Sequence, residues 1–231
     1  MRKTLVLSIL LVILLASCTV TEDLTISDGA SSSSSDINVQ QFFVDVIQDY
    51  SQFMPSGSEN IMDSAIRTFA GQIEDAEAGW NTVFIKDGEN SYTGVFNFSS
   101  IETLADELGG GSQSIITQTG NSLTFNCNID NYKELENIVP FLADPNISVY
   151  LAEYNIGYSE QDYMDMITFA IGAEAPEALR SSMIEINITV PGSITSISGA
   201  VKTGDNTLTF SFPLIDFLLL AEPLAFSVQW S

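Results

Sequence analysis

The stretch Met183-Ile184-Glu185-Ile186-Asn187-Ile188-Thr189-Val190 decides the fold class. Apolar residues stand at every second position and alternate with Glu185, Asn187 and Thr189. A period of two means a strand with one face buried and one face wet. The apolar members are β-branched, which suits a pleated surface. Pro191-Gly192 ends the run, and a second strand is predicted over residues 194–201. Thr203-Gly204-Asp205-Asn206 turns the chain into a third strand, Thr207 to Phe212. Pro213 opens the short apolar segment Leu214 to Leu220, read as a buried helix. Leu224 to Trp230 alternates again and closes the chain as a strand.

Working back toward the amino terminus, helices are predicted over Glu160 to Gly172 and from Pro176 to Ser181. Residues 146–158 read equally as strand or helix. Asn131 caps a helix through Leu135, Ile138, Val139 and Leu142. Thr119-Gly120-Asn121-Ser122 joins two strands into a hairpin, and a short helix runs from Ile101 to Leu108. Trp80 to Ile85 and Ser91 to Phe98 form another hairpin around Asp87-Gly88. Before them, two helical stripes are expected. The first, capped by Asn38, carries Val39, Phe42, Phe43, Val46, Ile47, Tyr50 and Phe53. The second starts at Ser58, carries Ile61, Met62, Ala65, Ile66, Phe69 and Ile73, and ends near Gly79. The expected fold class is α+β: an antiparallel sheet with helices packed on one face and an N-terminal helical pair.

Composition narrows the function. The 231 residues contain 7 Lys+Arg, 30 Asp+Glu and no His, a formal net charge of −23. Hydrophobic residues make up 45%, enough to build a core rather than a disordered acidic chain. Without His there is no Ser-His-Asp triad, no Cys-His pair and no His-bound metal. So few cations argue against nucleic acid as a partner, because phosphate binding needs clustered positive charge.

The amino terminus carries the most specific motif. Met1-Arg2-Lys3-Thr4 precedes an apolar run from Leu5 to Leu15, broken only by Ser8, and then Ala16-Ser17-Cys18. A positive start, an apolar stretch and small residues before a cut describe a signal peptide over residues 1–17. The run is shorter than the roughly 20 residues that cross a bilayer. Leu15-Ala16-Ser17-Cys18 resembles a bacterial lipobox. That resemblance implies cleavage before Cys18, a diacylglycerol thioether on its sulfur and acylation of the new amine with a fatty acid such as palmitate. Each buried CH₂ contributes about 0.8 kcal/mol, so two or three chains hold a protein on a membrane. Removal of residues 1–17 would leave 5 Lys+Arg against 30 Asp+Glu, so charge alone would repel the domain from an anionic surface. Thr19 after the lipidated residue leans toward an outer membrane or the cell surface rather than the inner membrane.

Residues 18–37, with the serine run Ser31 to Ser35, are expected to be a lipidated Cys followed by a flexible tether, reaching roughly 25 Å as coil. Residues 38–231 are expected to form a single globular domain. Its carboxy-terminal part is similar to the LppM-type domain of bacterial lipoproteins, across about residues 80–231. The resemblance rests on the strand, Pro191-Gly192, strand, Thr203-Gly204-Asp205-Asn206-Thr207, strand, Leu-rich segment and final strand ending in Trp230. That family has no agreed catalytic residues to carry over, and its usual strand start is replaced here by the helical pattern of 39–76.

Candidate chemistry rests on acids. Glu74-Asp75-Ala76-Glu77 and Glu160-Gln161-Asp162 with Asp165 are the densest groups; facing carboxylates at a suitable spacing would make a hydrolase. The competing reading is a solvated helix face, or acids placed where the helix dipole favours them. No EF-hand pattern is present, and Gly109-Gly110-Gly111 lacks the Lys of a phosphate loop. Cys127 alternates with polar neighbours in Leu123 to Ile129 and is expected on the buried face of a strand. The expectation is therefore a lipid-anchored envelope protein, not an enzyme, without cofactor or metal, with Cys18 as its functional residue. Its partners would be the membrane and either an envelope protein or an apolar ligand. A lipid carrier is the alternative function and a carboxylate-dependent hydrolase the third.

Overall fold

The computed structural model describes residues 18–27, 29–39, 41, 63, 67, 70–71, 73–108, 115–138 and 148–231. Two sheets organise them. Strands β1 (Cys18–Thr25), β2 (Ser31–Val39), β3 (Gly79–Lys86), β4 (Ser91–Phe98), β7 (Met183–Thr189), β9 (Val201–Lys202) and β10 (Thr207–Pro213) form the first, in the order β3-β4-β2-β1-β7-β10-β9. Strands β5 (Ile116–Thr119), β6 (Ser122–Cys127), β8 (Ile194–Ser198) and β11 (Leu224–Trp230) form the second, in the order β5-β6-β11-β8. The α+β class stands, but the expected single antiparallel sheet is two sheets, and β1 runs parallel to β7.

The deciding strand behaves as its alternation requires. In β7, Ile184 and Ile188 are fully buried, whereas Glu185 is exposed. Its buried face continues into Leu208, Phe210 and Phe212 of β10. The phenylalanines then bridge the sheets. Phe210 lies 5.0 Å from Phe226 of β11 and 5.7 Å from Phe125 of β6, measured between ring centres. Tilted and offset pairs at these distances each add about 0.5–1.5 kcal/mol beyond their buried area.

The chain passes between sheets at Gly199, which breaks the strand expected over 194–201 into β8 and β9. Gly199 has φ +75°, and a Cβ there would stand 2.2 Å from the carbonyl oxygen of Ala225. Only glycine satisfies both constraints.

The largest departure lies in residues 18–37. The flexible tether expected there is a β-hairpin, β1 paired with β2 from Cys18↔Val39 to Thr25↔Ser32. Serine-rich sequence is coil-forming when alone, but β2 is an interior strand whose backbone bonds to β1 on one side and β4 on the other. Ser31, Ser33 and Ser35 point into the core and are buried. Their small side chains stand opposite Phe98, Phe96 and Gly94, so bulk on β4 fills the space that serine leaves. Tertiary pairing overrides local propensity here.

The expected N-terminal helical pair is not supported. Asn38, expected as a helix cap, and Val39, expected on the first helical stripe, both lie in β2. Most of the two stripes falls outside the described residues; residues 73–75 are helical and Ile73 is fully buried. The other helices follow the sequence closely. They are α1 (Ile101–Leu108), α2 (Tyr132–Ile138), α3 (Glu160–Ile171), α4 (Ala175–Arg180) and α5 (Leu214–Leu219). Helix α1 packs against β5, and α4 packs against both α3 and α5. The ambiguous stretch before α3 contains a short 3₁₀ turn, Ala152–Tyr154, which contacts α5.

Candidate functional site: the Cys18 end of the first sheet and its buried carboxyl

Cys18 is the first residue of β1. Its backbone pairs with Val39, and the next residue, Thr19, pairs with Met183 at the start of β7. Because β1 and β7 are parallel, both begin at the same end of the sheet. Ser182, just before Met183, accepts a backbone hydrogen bond of 3.0 Å from the N–H of Leu214, which opens α5. Helix α4, helix α5 and the 3₁₀ turn therefore collect at the end where Cys18 stands. No coil separates the expected anchor from the fold.

Four residues into β1 is a carboxyl that the sequence reading passed over. Glu22 replaces an apolar residue in the series Val20, Glu22, Leu24, Ile26, whose other members face the core. It is half-buried at its surface, yet its carboxyl is set deep among surrounding atoms. The hydroxyl of Ser35, its cross-strand partner, donates to Glu22 Oε2 at 2.5 Å. Burial pushes the carboxyl up to about 8; the Ser35 hydrogen bond pulls it down and the neighbouring Asp23 charge pushes it further up. Near neutral pH this group holds its proton. A protonated buried carboxyl is an acid and a hydrogen-bond donor. The available signal was the broken alternation of residues 20–26, masked by the reading of this segment as coil.

The acid clusters singled out from the sequence do not converge. Glu74, Asp75 and Glu77 are exposed. Glu160 pairs with Arg180, Nε to Oε1 at 2.9 Å. Asp162 completes a capping box with Ser159, and the bonds from the Ser159 hydroxyl and backbone N–H hold it below the usual carboxylate range. Asp165 accepts from Gln161 at 2.8 Å. These are solvated carboxylates and one helix N-terminal cap, the reading weighed against catalysis. Among the described residues no group of three Cys, Asp or Glu side chains is placed to hold a metal ion.

Two further sites are structural. Asp63 accepts from the Tyr92 hydroxyl at 2.6 Å and from Lys86 Nζ at 3.2 Å. Burial raises its pKa, but the two hydrogen bonds and the charges of Lys86 and Arg67 outweigh that and leave it lowered. Cys127 is fully buried on β6, as its alternation predicts, and burial pushes its thiol up to about 12. That is a packed side chain and not a nucleophile at neutral pH.

Comparison with known proteins returns little. No protein-family model matches the sequence, and no curated protein matches it. Among solved structures, the folded domain of LppM from Mycobacterium tuberculosis, determined by NMR, superposes with a TM-score of 0.41 and 10% identity. The superposition covers 93% of this chain and 90% of that one. Among the described residues no helix is long and apolar enough to cross a membrane.

Proposed function

We propose that the protein is a lipid-anchored lipoprotein of a bacterial cell envelope, with a binding or structural role rather than a catalytic one. The observation that carries this reading is Leu15-Ala16-Ser17-Cys18 directly after an apolar leader. The fold is compatible with it: β1 starts at Cys18, so cleavage before that residue leaves every described strand intact. The carboxylates, dispersed into caps and ion pairs, support a non-catalytic role. Thr19 in the second position favours the outer membrane or the cell surface.

The test is Cys18→Ser expressed from the full precursor. Wild type is expected in the membrane fraction, with an intact mass raised by its acyl chains and metabolic labelling by palmitate. The variant is expected to lose the label and leave the membranes. A variant that still labels and still sediments with membranes refutes the anchor.

A further inference from the structure

We propose that the loop over residues 149–158 is a foot that seats the domain on a lipid bilayer beside the Cys18 anchor. The proposal rests on the acylation of Cys18 argued above and adds the surface that meets the membrane.

Position comes first. The 3₁₀ turn within this loop contacts α5, and α5 is tied through Leu214 to Ser182, next to Met183. The far end of the loop leads into α3, whose first residue, Glu160, is bonded to Arg180, two residues before Ser182. The loop thus stands at the end of the sheet where Cys18 pairs and where Thr19 faces Met183. A chain whose first residue is both lipidated and the start of a strand has no slack to lift the domain clear. This end must lie against the headgroups.

Chemistry comes second. Tyr154 is 61% exposed, Ile156 65% and Tyr158 43%, with Val149 and Met183 also exposed nearby. Alternate residues of Tyr154-Asn155-Ile156-Gly157-Tyr158 project outward while Asn155 is buried, its amide bonded to the Leu151 carbonyl at 2.8 Å. Gly157, at φ +82°, turns the chain between Ile156 and Tyr158. Tyrosine, apolar in its ring and polar at its tip, suits the boundary between headgroups and acyl chains.

Charge comes third. In a chain of net charge −23, the tip of this loop is uncharged, although Asp162 and the exposed Asp216 stand at its edge beside Glu160. No charged residue lies between Glu153 and Glu160. Glu153 is paired with Lys133 at 2.7 Å, and Glu160 with Arg180 at 2.9 Å. Two of the five cations beyond residue 17 thus offset the two acids that flank the loop. The acidic turn Asp87–Asn90 lies at the same end but on the opposite flank of β1, across β2 and β4. Contact is therefore one-sided, on the β7 flank. Apolar contact of this kind needs no anionic lipid.

The test uses the acylated full-length protein in phosphatidylcholine vesicles. Single variants Ile156→Cys, Tyr158→Cys and Val201→Cys each carry a polarity-sensitive fluorophore; Cys127 is buried and does not react. Val201 is the control, exposed near the end of β10 remote from Cys18. Vesicles doped with a shallow spin-labelled lipid are expected to quench the probes at 156 and 158 at least about twofold more than at 201. Protein that floats with vesicles but shows equal quenching at all three positions overturns the foot and leaves the anchor standing. Protein that fails to float and lacks the acyl mass overturns the anchor, and the foot with it.

Discussion

Glu22→Gln removes a single titration from the interior and should abolish the pH dependence that this group imposes on folding. In the folded protein the carboxyl titrates near 8, against 4.5 in an unfolded chain. Between those values the native state keeps a proton that the unfolded state has released. Stability from this group is complete below pH 4.5 and is lost as pH rises toward 8. Each unit of that window is worth about 1.4 kcal/mol, and solvent contact at the half-buried side chain trims the total to about 3 kcal/mol. Gln keeps the shape and still accepts from Ser35, but carries no titrating proton. Other acids add their own slopes: Asp216, raised by burial and by the charge of Glu160, acts in the same direction, whereas Asp63 and Asp162 act in the other. The quantity to follow is therefore the difference between the two proteins. Urea titrations monitored by tryptophan fluorescence, both in a Cys18→Ser background, at pH 5, 6, 7 and 8 give it directly. Gln at position 22 should gain on Glu steadily across the range and be the more stable at pH 8. A difference that stays flat from pH 5 to pH 8 would falsify the assignment of Glu22 as a buried, protonated acid.

The remaining predictions concern packing. Phe210→Ala empties the contact between the two sheets and should cost about 3–5 kcal/mol, read as a lowered urea midpoint. An effect below about 1 kcal/mol would mean that the phenylalanines do not join the sheets. Gly199→Ala places a side chain in a left-handed conformation and against the Ala225 carbonyl, so a loss of at least about 2 kcal/mol is expected by the same measurement. Cys127→Ala should cost on the order of 1 kcal/mol from a small cavity. In the wild type the thiol should stay silent to an aromatic disulfide reagent at pH 8 until urea unfolds the chain; rapid reaction in the folded state would show that it is not buried.

The strands of the carboxy-terminal half were legible because each carries its own alternation. β7, β10 and β11 were readable from Ile184, Phe210 and Phe226 without reference to any neighbour. Helix α1 was bracketed by Ser99-Ser100 before it and the glycines after Leu108, and α5 by Pro213. Cys127 was correctly placed inside for the same reason. All of this is information local to a few residues.

What the tertiary structure decided was the fate of residues 18–37. A serine has no apolar pattern to announce a strand, so Ser31 to Ser35 read as coil. The space opposite Phe96 and Phe98, together with backbone partners on both sides, makes them the interior of a sheet. The same holds for Glu22, whose proton is retained because of atoms brought from β2 and the strands around it, and for the parallel pairing of β1 with β7, which joins segments more than 150 residues apart. Sequence alone determined where the apolar faces lie and supplied Leu15-Ala16-Ser17-Cys18, the motif on which the proposed anchor rests. Which faces meet, and that Cys18 opens a strand instead of a tether, depends on long-range pairing that no short window contains.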